Sequence, residues 1–289
     1  MHPDERPLPP YRLARPHTLC SCVVVSSPHS GAEYPAEMLA ASPLDLLTLR
    51  SSEDAFIEQL LASAPTHGAP LLAARLPRAW VDLNRATDDL DPALIEGVRS
   101  HRLDPRVASG LGVIPRVVAA GRAIYCAKIS RAEAEARIDA VWRPYHARLG
   151  TLIAEAHAAF GMALLLDVHS MPHEVVASLP RPAPQVVLGD RYGASAAPAL
   201  VAAVEAAFTA EGLRVARNAP FAGAYIAQAY GRPRFGSHVV QVEIDRSIYM
   251  DETRVEPGPG FDAFAAVMGR VLARIAPLGR DDAAQLAAE

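Results

Sequence analysis

Leu164-Leu165-Leu166-Asp167-Val168-His169-Ser170 is an apolar run that ends on a histidine, and the same construction recurs along the chain. Cys22-Val23-Val24-Val25-Ser26-Ser27-Pro28-His29-Ser30-Gly31 carries a β-branched run to His29, with a Pro and a Gly that stop a strand. Trp80-Val81-Asp82-Leu83-Asn84-Arg85 and Val239-Val240-Gln241-Val242-Glu243-Ile244-Asp245 have the same form. Buried parallel strands read as near-continuous apolar text, and an open α/β sheet gathers its ligands beyond the carboxyl ends of those strands. These endings make two histidines, an arginine and a glutamate candidates for one crevice. The expected fold is a single α/β domain over residues 18–289, behind a Pro-rich flexible arm at 1–17. Two domains would have to assemble the site across an interface, since its residues run from 29 to 243.

Composition narrows the function classes. A formal charge of −4 over 289 residues supplies no basic field for nucleic acid or an anionic membrane surface. Cys20, Cys22 and Cys126 leave one thiol over under any disulfide scheme, which suits a reducing cytoplasm. Cys20 and Cys22 alternate on an expected strand and read as small buried hydrophobes facing one side. No signal-peptide pattern opens the chain, and no run approaches the ~18 apolar residues of a membrane span. The expectation is a soluble cytoplasmic protein acting on a small molecule.

Between the strand endings the text is mostly helical. A first strand is expected over 19–26. Ser51-Ser52 can cap a helix over 53–64 carrying Phe56, Ile57, Leu60 and Leu61 at helical spacing. Runs 69–75 and 79–83 read as strands separated at Leu76-Pro77. Residues 86–127 are irregular, a long insertion that reads as a lid or wall. Ser130-Arg131-Ala132-Glu133 has the form of a capping box, opening helix text to Phe160 with Pro144 as a kink. Loop text at 171–193, a helix at 194–211, a strand at 213–217, a loop at 218–236 and a closing helix at 260–276 complete the reading. No GxGxxG follows a strand, which disfavours a dinucleotide-binding protein.

His29 and His169 are metal candidates because they end two strands near a carboxylate. A hydrolytic zinc site takes three protein ligands and keeps one position open, so a third ligand is required, and Glu33 or Asp54 can supply it. Glu243 ends an apolar strand, where an unpaired carboxylate is costly. It is either in an ion pair with Arg232 or Arg246, or a general base beside the metal. Asn84 and Arg85 suit a substrate carboxylate, a guanidinium binding it at two points. Arg78, Arg116 and Arg143 are further cations without a selecting pattern. Ser170 lacks a GxSxG elbow, which disfavours a serine hydrolase.

With these motifs in order, the chain resembles the N-formylglutamate amidohydrolase family, relatives of the zinc carboxypeptidases and aspartoacylases. The resemblance covers about 20–275. It is carried by Ser27-Pro28-His29-Ser30-Gly31, Asp82-Leu83-Asn84-Arg85, Trp142-Arg143-Pro144-Tyr145-His146, Asp167-Val168-His169-Ser170, and Gln241-Val242-Glu243-Ile244 with Tyr249-Met250-Asp251-Glu252. It implies a phosphorylase/hydrolase-like, zinc carboxypeptidase-like fold with a mixed, mostly parallel sheet between helices. It also implies one zinc ion on His29 and His169, carboxylate binding by Asn84 and Arg85, and Glu243 as base. The carboxypeptidase H-x-x-E spacing is absent, because Ala32 stands where its glutamate would be. An acidic residue ahead of the first helix is the formylglutamate pattern, which favours Asp54 over Glu33. The implied reaction is amide hydrolysis of an N-acylated acidic amino acid, N-formyl-L-glutamate first. Alternatives are another N-acyl amino acid deacylase or carboxypeptidase-like zinc hydrolase, and a non-catalytic metal- or anion-binding protein.

Overall fold

The computed structural model describes residues 8–99 and 104–279. Seven strands form one sheet: β1 (Tyr11–Ala14), β2 (Val23–Ser27), β3 (Leu71–Ala74), β4 (Ala163–Met171), β5 (Val186–Gly189), β6 (Val215–Arg217) and β7 (Ser237–Asp245). Their order is β1-β3-β2-β4-β7-β5-β6. The central β3, β2, β4 and β7 run parallel, β1 and β5 join antiparallel, and β6 is parallel to β5. The sheet is mixed and mostly parallel, as the resemblance implied, and helices cover both faces.

The two-residue period of the strands sorts their side chains between those faces. Val23, Val25, Leu164, Leu166, Val168, Val240 and Val242 pack on one side, against helices that include Pro198–Thr209 and Phe261–Ile275. Val24, Leu165 and Val239 face the other side, toward the helices Arg143–Phe160 and Tyr225–Tyr230. On that second side the rows change character toward the carboxyl ends. Ser26, Asp167 and Gln241 lie in register, followed by His169 opposite Glu243. Each strand is therefore apolar where it crosses the core and polar where it leaves it.

The expected helix to Phe160 forms in three continuous parts: Arg131–Arg137, a π-helical turn Ile138–Trp142, and Arg143–Phe160. Ser130 Oγ accepts from the Glu133 amide at 3.1 Å, so the capping box is made. The wide turn ahead of Pro144 suits a residue that has no N–H to return to the preceding turn.

Several expectations need correction. The described part of the 1–17 arm is not loose, since Tyr11–Ala14 pairs with β3 as an edge strand; residues 1–7 lie outside the described residues. The last ten residues of the 18–289 domain lie outside them too, as do 100–103 in the insertion. The strand expected over 19–26 is β2 and starts at Val23, beyond Cys20 and Cys22, and Cys20 is exposed. The helix expected at 53–64 is one turn, Ile57–Leu60, because Phe56 at φ 67 breaks the helical path before it. Residues 79–83 are not a strand: Trp80 N bonds to Pro77 O and Asp82 N to Val113 O. Their apolar side chains are buried as a loop, which has no periodicity to betray it. The loops expected at 171–193 and 218–236 contain β5 and the helix Tyr225–Tyr230. No described helix is long and apolar enough to cross a membrane.

Candidate active site

Three chain segments deliver the central cluster. His29 leaves the end of β2 through a turn that only a glycine permits, since a Cβ on Gly31 would stand 2.2 Å from Leu76 O. His169 sits near the end of β4. Asp54 lies ahead of the one-turn helix, outside its first turn, and its amide donates to His29 O at 3.0 Å. That bond draws the Asp54 segment under the β2 turn, and the left-handed Phe56 turns the chain away immediately afterwards.

The three side chains are buried and aim atoms at one another. His169 Nδ1 is 3.1 Å from His29 Nδ1 and 3.0 Å from Asp54 Oδ2, and His29 Nδ1 is 3.4 Å from the same oxygen. The far ring nitrogens are engaged: His29 Nε2 with Asp82 Oδ1 at 2.7 Å, His169 Nε2 with Asp167 Oδ2 at 3.0 Å. A carboxylate on the far nitrogen takes its N–H and leaves Nδ1 as a lone pair, the usual second layer of a metal-binding histidine. Two lone pairs and a carboxylate oxygen then face one point, with all ligand atoms within 4.8 Å. Such an arrangement repels itself unless a cation sits there, and its N/N/O donor set suits zinc.

The supporting groups are themselves satisfied. Asp54 Oδ1, the oxygen turned away from the histidines, accepts from Ser170 Oγ at 3.2 Å and Arg246 Nη2 at 3.1 Å. Asp82 takes Arg78 at 2.8 Å, and Asp167 takes Ser26 Oγ at 2.8 Å. Titration follows from this wiring. Burial opposes charge on His169, but the carboxylates of Asp167, Asp54 and Glu243 outweigh it and hold the ring well above its ordinary pKa. Burial likewise opposes the Asp54 anion; with protons on the rings in place of a cation, their bonds to Asp54 overcome it and hold that carboxyl well below the usual range. The pocket demands positive charge at its centre.

Glu243 stands opposite His169 in the sheet and is buried. It makes neither of the ion pairs considered for it: Arg232 bonds to backbone carbonyls and Arg246 to Asp54 and Ser170. Among the described residues its one side-chain hydrogen-bond partner is Gln241 Nε2, 2.7 Å from Oε1. Burial pushes its carboxyl up to about 7, poised to exchange a proton near neutrality.

Asn84 is buried beside the cluster; its Oδ1 accepts from the Ile226 amide at 2.7 Å, leaving Nδ2 turned to the site, 3.2 Å from His169 Nε2. Arg85 lines the same cavity, of about 500 Å³, with a buried Nε that has no hydrogen-bond partner among the described residues. The other cations are committed: Arg116 to Asp91, Arg143 to Asp139. Glu33 lies outside the cluster, half-exposed and bridging Arg12 and Arg75. The insertion walls the cavity with residues that include Leu111, Pro115 and Val117.

Asp82, Asp167, Gln241 and Arg246 hold the site together without having been singled out in the sequence for that task. Asp167 and Gln241 carried a usable signal, each two residues before a site residue and so on the same strand face. Asp82 and Arg246 had none that spacing alone could show.

The fold and this buried His/Asp/His centre define an α/β protein with a candidate metal site. A profile of the N-formylglutamate amidohydrolase family matches residues 21–250. The chain is 34% identical over 234 residues to the N-formylglutamate deformylase of Pseudomonas aeruginosa, covering 80% of this chain and 82% of that one. It is 29% identical, with the same coverage, to that of Pseudomonas putida. The crystal structure of N-formylglutamate amidohydrolase from Ralstonia eutropha JMP134 superposes with a TM-score of 0.89 at 36% identity, covering 95% of this chain and all of that one. The chain belongs to the N-formylglutamate amidohydrolase family.

Proposed function

We propose that this protein hydrolyses the amide of N-formyl-L-glutamate to formate and L-glutamate, with one zinc ion held by His29, Asp54 and His169. The observation that carries the reading is the convergence of His29 Nδ1, His169 Nδ1 and Asp54 Oδ2 on one buried point. Names of relatives at up to 36% identity supply the substrate. The odd cysteine count supports a cytoplasmic location.

Zinc, when bound, lowers the pKa of water to about 7 and polarises a carbonyl. The chain's residues do the rest. Asp82 and Asp167 hold the two imidazoles in the tautomer that presents Nδ1, and Arg246 with Ser170 fixes the Asp54 carboxylate. Arg85 grips a substrate carboxylate with its unpartnered guanidinium, and Asn84 Nδ2 adds a directed donor. Glu243 takes the proton from the attacking water and returns it to the departing nitrogen, a task suited to a carboxyl near 7. Leu111, Pro115 and Val117 of the insertion wall the cavity in which these groups meet.

Elemental analysis and turnover of N-formyl-L-glutamate test the reading together. Wild type should carry about one zinc per chain and release formate, and His169→Ala, one ligand of three lost, should give up both after dialysis. Undiminished zinc in His29→Ala and His169→Ala alike, or full activity in chelator-treated protein, would overturn it.

A further inference from the structure

The cavity contains more positive charge than its own acids use. Four arginines line it: Arg78, Arg85, Arg106 and Arg246. Arg78 is paired with Asp82 and Arg246 with Asp54. Among the described residues, neither Arg85 nor Arg106 has a carboxylate at ion-pair distance. Arg85 Nε is buried and, among the described residues, without a hydrogen-bond partner. Arg106 comes from the 86–127 insertion, on the short helix Pro105–Ala108. Its backbone is tied down: the amide donates to Asp104 Oδ1 at 2.7 Å, and the carbonyl accepts from the Leu111 amide and Ser109 Oγ, each at 2.8 Å. Only the side chain is left to reach into the cavity. The two guanidiniums are near enough to repel; burial first, and then the charges of Arg106 and Arg78, pull Arg85 below its ordinary value. Two like charges left facing one cavity are a cost to the folded protein unless a ligand with two anionic groups relieves it.

We propose that Arg106 is a specificity-determining residue that binds the side-chain carboxylate of the substrate, while Arg85 binds the α-carboxylate. This assignment rests on the reading of the site given above and deepens it. The division follows from depth. In an N-acyl glutamate the scissile nitrogen and the α-carboxylate share one carbon, so the α-carboxylate belongs near the His/Asp/His cluster. Arg85 follows Asn84, which touches His169, and is the more buried of the two. The side-chain carboxylate lies two methylenes further out, where the exposed Arg106 stands. The insertion thus supplies selection for an acidic side chain as well as a wall.

Binding of glutarate and of glutaramate, the same chain with one carboxylate replaced by an amide, separates this assignment from the catalytic reading. Titration calorimetry on zinc-loaded wild type should show glutarate bound about tenfold more tightly, the worth of one charge-assisted contact. In Arg106→Ala that preference should collapse to within about twofold, and Arg106→Lys should keep part of it. In turnover, Arg106→Ala should raise KM for N-formyl-L-glutamate and leave KM for N-formyl-L-glutamine and both kcat values near wild type. A preference that survives in Arg106→Ala, or is absent from wild type, overturns the assignment. A wild type that prefers glutarate through Arg106 yet never hydrolyses N-formyl-L-glutamate would sink the catalytic reading and leave the two-arginine cradle standing.

Discussion

His169 and His146 are buried to nearly the same degree, at 3% and 6% exposure, yet burial leads them in opposite directions. Around His146 the chain offers a ring stack on Trp142 at 3.8 Å, Tyr230 Oη at 2.9 Å from Nδ1 and Leu83 O at 2.8 Å from Nε2. Among the described residues no carboxylate is within hydrogen-bond or ion-pair distance of it. Burial dominates and pulls its pKa down to about 4, so this ring stays neutral and packs. Around His169 the chain places Asp167, Asp54 and Glu243, and positive charge is favoured. Burial makes charge expensive in both regions, and only the one with carboxylates reverses the sign. The aromatic region is there for stability and the acidic region for chemistry.

The hardest blow to that distinction would come from Glu243. Glu243→Gln keeps shape and hydrogen bonding but cannot accept a proton, so kcat should fall by about 10² to 10⁴ while melting temperature and zinc content hold. A carboxyl raised to about 7 is ionised above that pH and protonated below it, so wild-type rate should fall as pH drops through neutrality. That limb belongs to the coupled centre rather than to Glu243 alone. A variant with near-normal turnover eliminates Glu243 as the base; one that unfolds makes it structural.

His146 should act through stability. Its folded pKa of about 4 lies below the ordinary 6.5, so the unfolded chain binds a proton first as pH falls. The stability this group contributes is complete above pH 6.5 and is lost as pH falls through about 4, amounting to roughly 3 kcal/mol. Urea unfolding of the chelated protein at pH 7 and pH 4 measures it. His146→Gln should lose less between the two than wild type, and equal losses would show that the ring does not resist protonation.

Arg85 sharpens the acidic region by its specificity. Truncating one partner of a desolvated charged pair costs about 2 to 5 kcal/mol, so Arg85→Ala should lower kcat/KM on N-formyl-L-glutamate by at least roughly thirtyfold. An uncharged N-formyl amide should lose far less, and equal losses would contradict carboxylate binding.

The smallest effect is expected at Glu33, whose exposed bridges to Arg12 and Arg75 are worth about 0 to 1 kcal/mol in total stability. Glu33→Ala should keep its zinc, whereas Asp54→Ala should lose it; the reverse result in elemental analysis would move the third ligand to Glu33.

The sequence by itself was enough for β4 and β7, because a fully buried parallel strand must be apolar along its length and a polar residue at its end has to be there for a reason. His29, His169 and Glu243 were legible on that ground, and Asn84 and Arg85 through the D-x-N-R segment. The family, too, was legible in motif order alone. What tertiary structure decided is whatever depends on where a turn sends the chain. Asp54 and Glu33 were both carboxylates at plausible separations from His29. Only the Asp54 amide bonded to His29 O, and the left-handed turn at Phe56, bring one of them to the imidazoles. Residues 79–83 looked like a strand because a buried loop is as apolar as a buried strand, and β5 was hidden because four residues are too few to show a period amid prolines. Arg106 stood in irregular text with no pattern to select it. Its place in the same cavity as Arg85 comes from the packing of the insertion beside the strand ends, which no local spacing encodes.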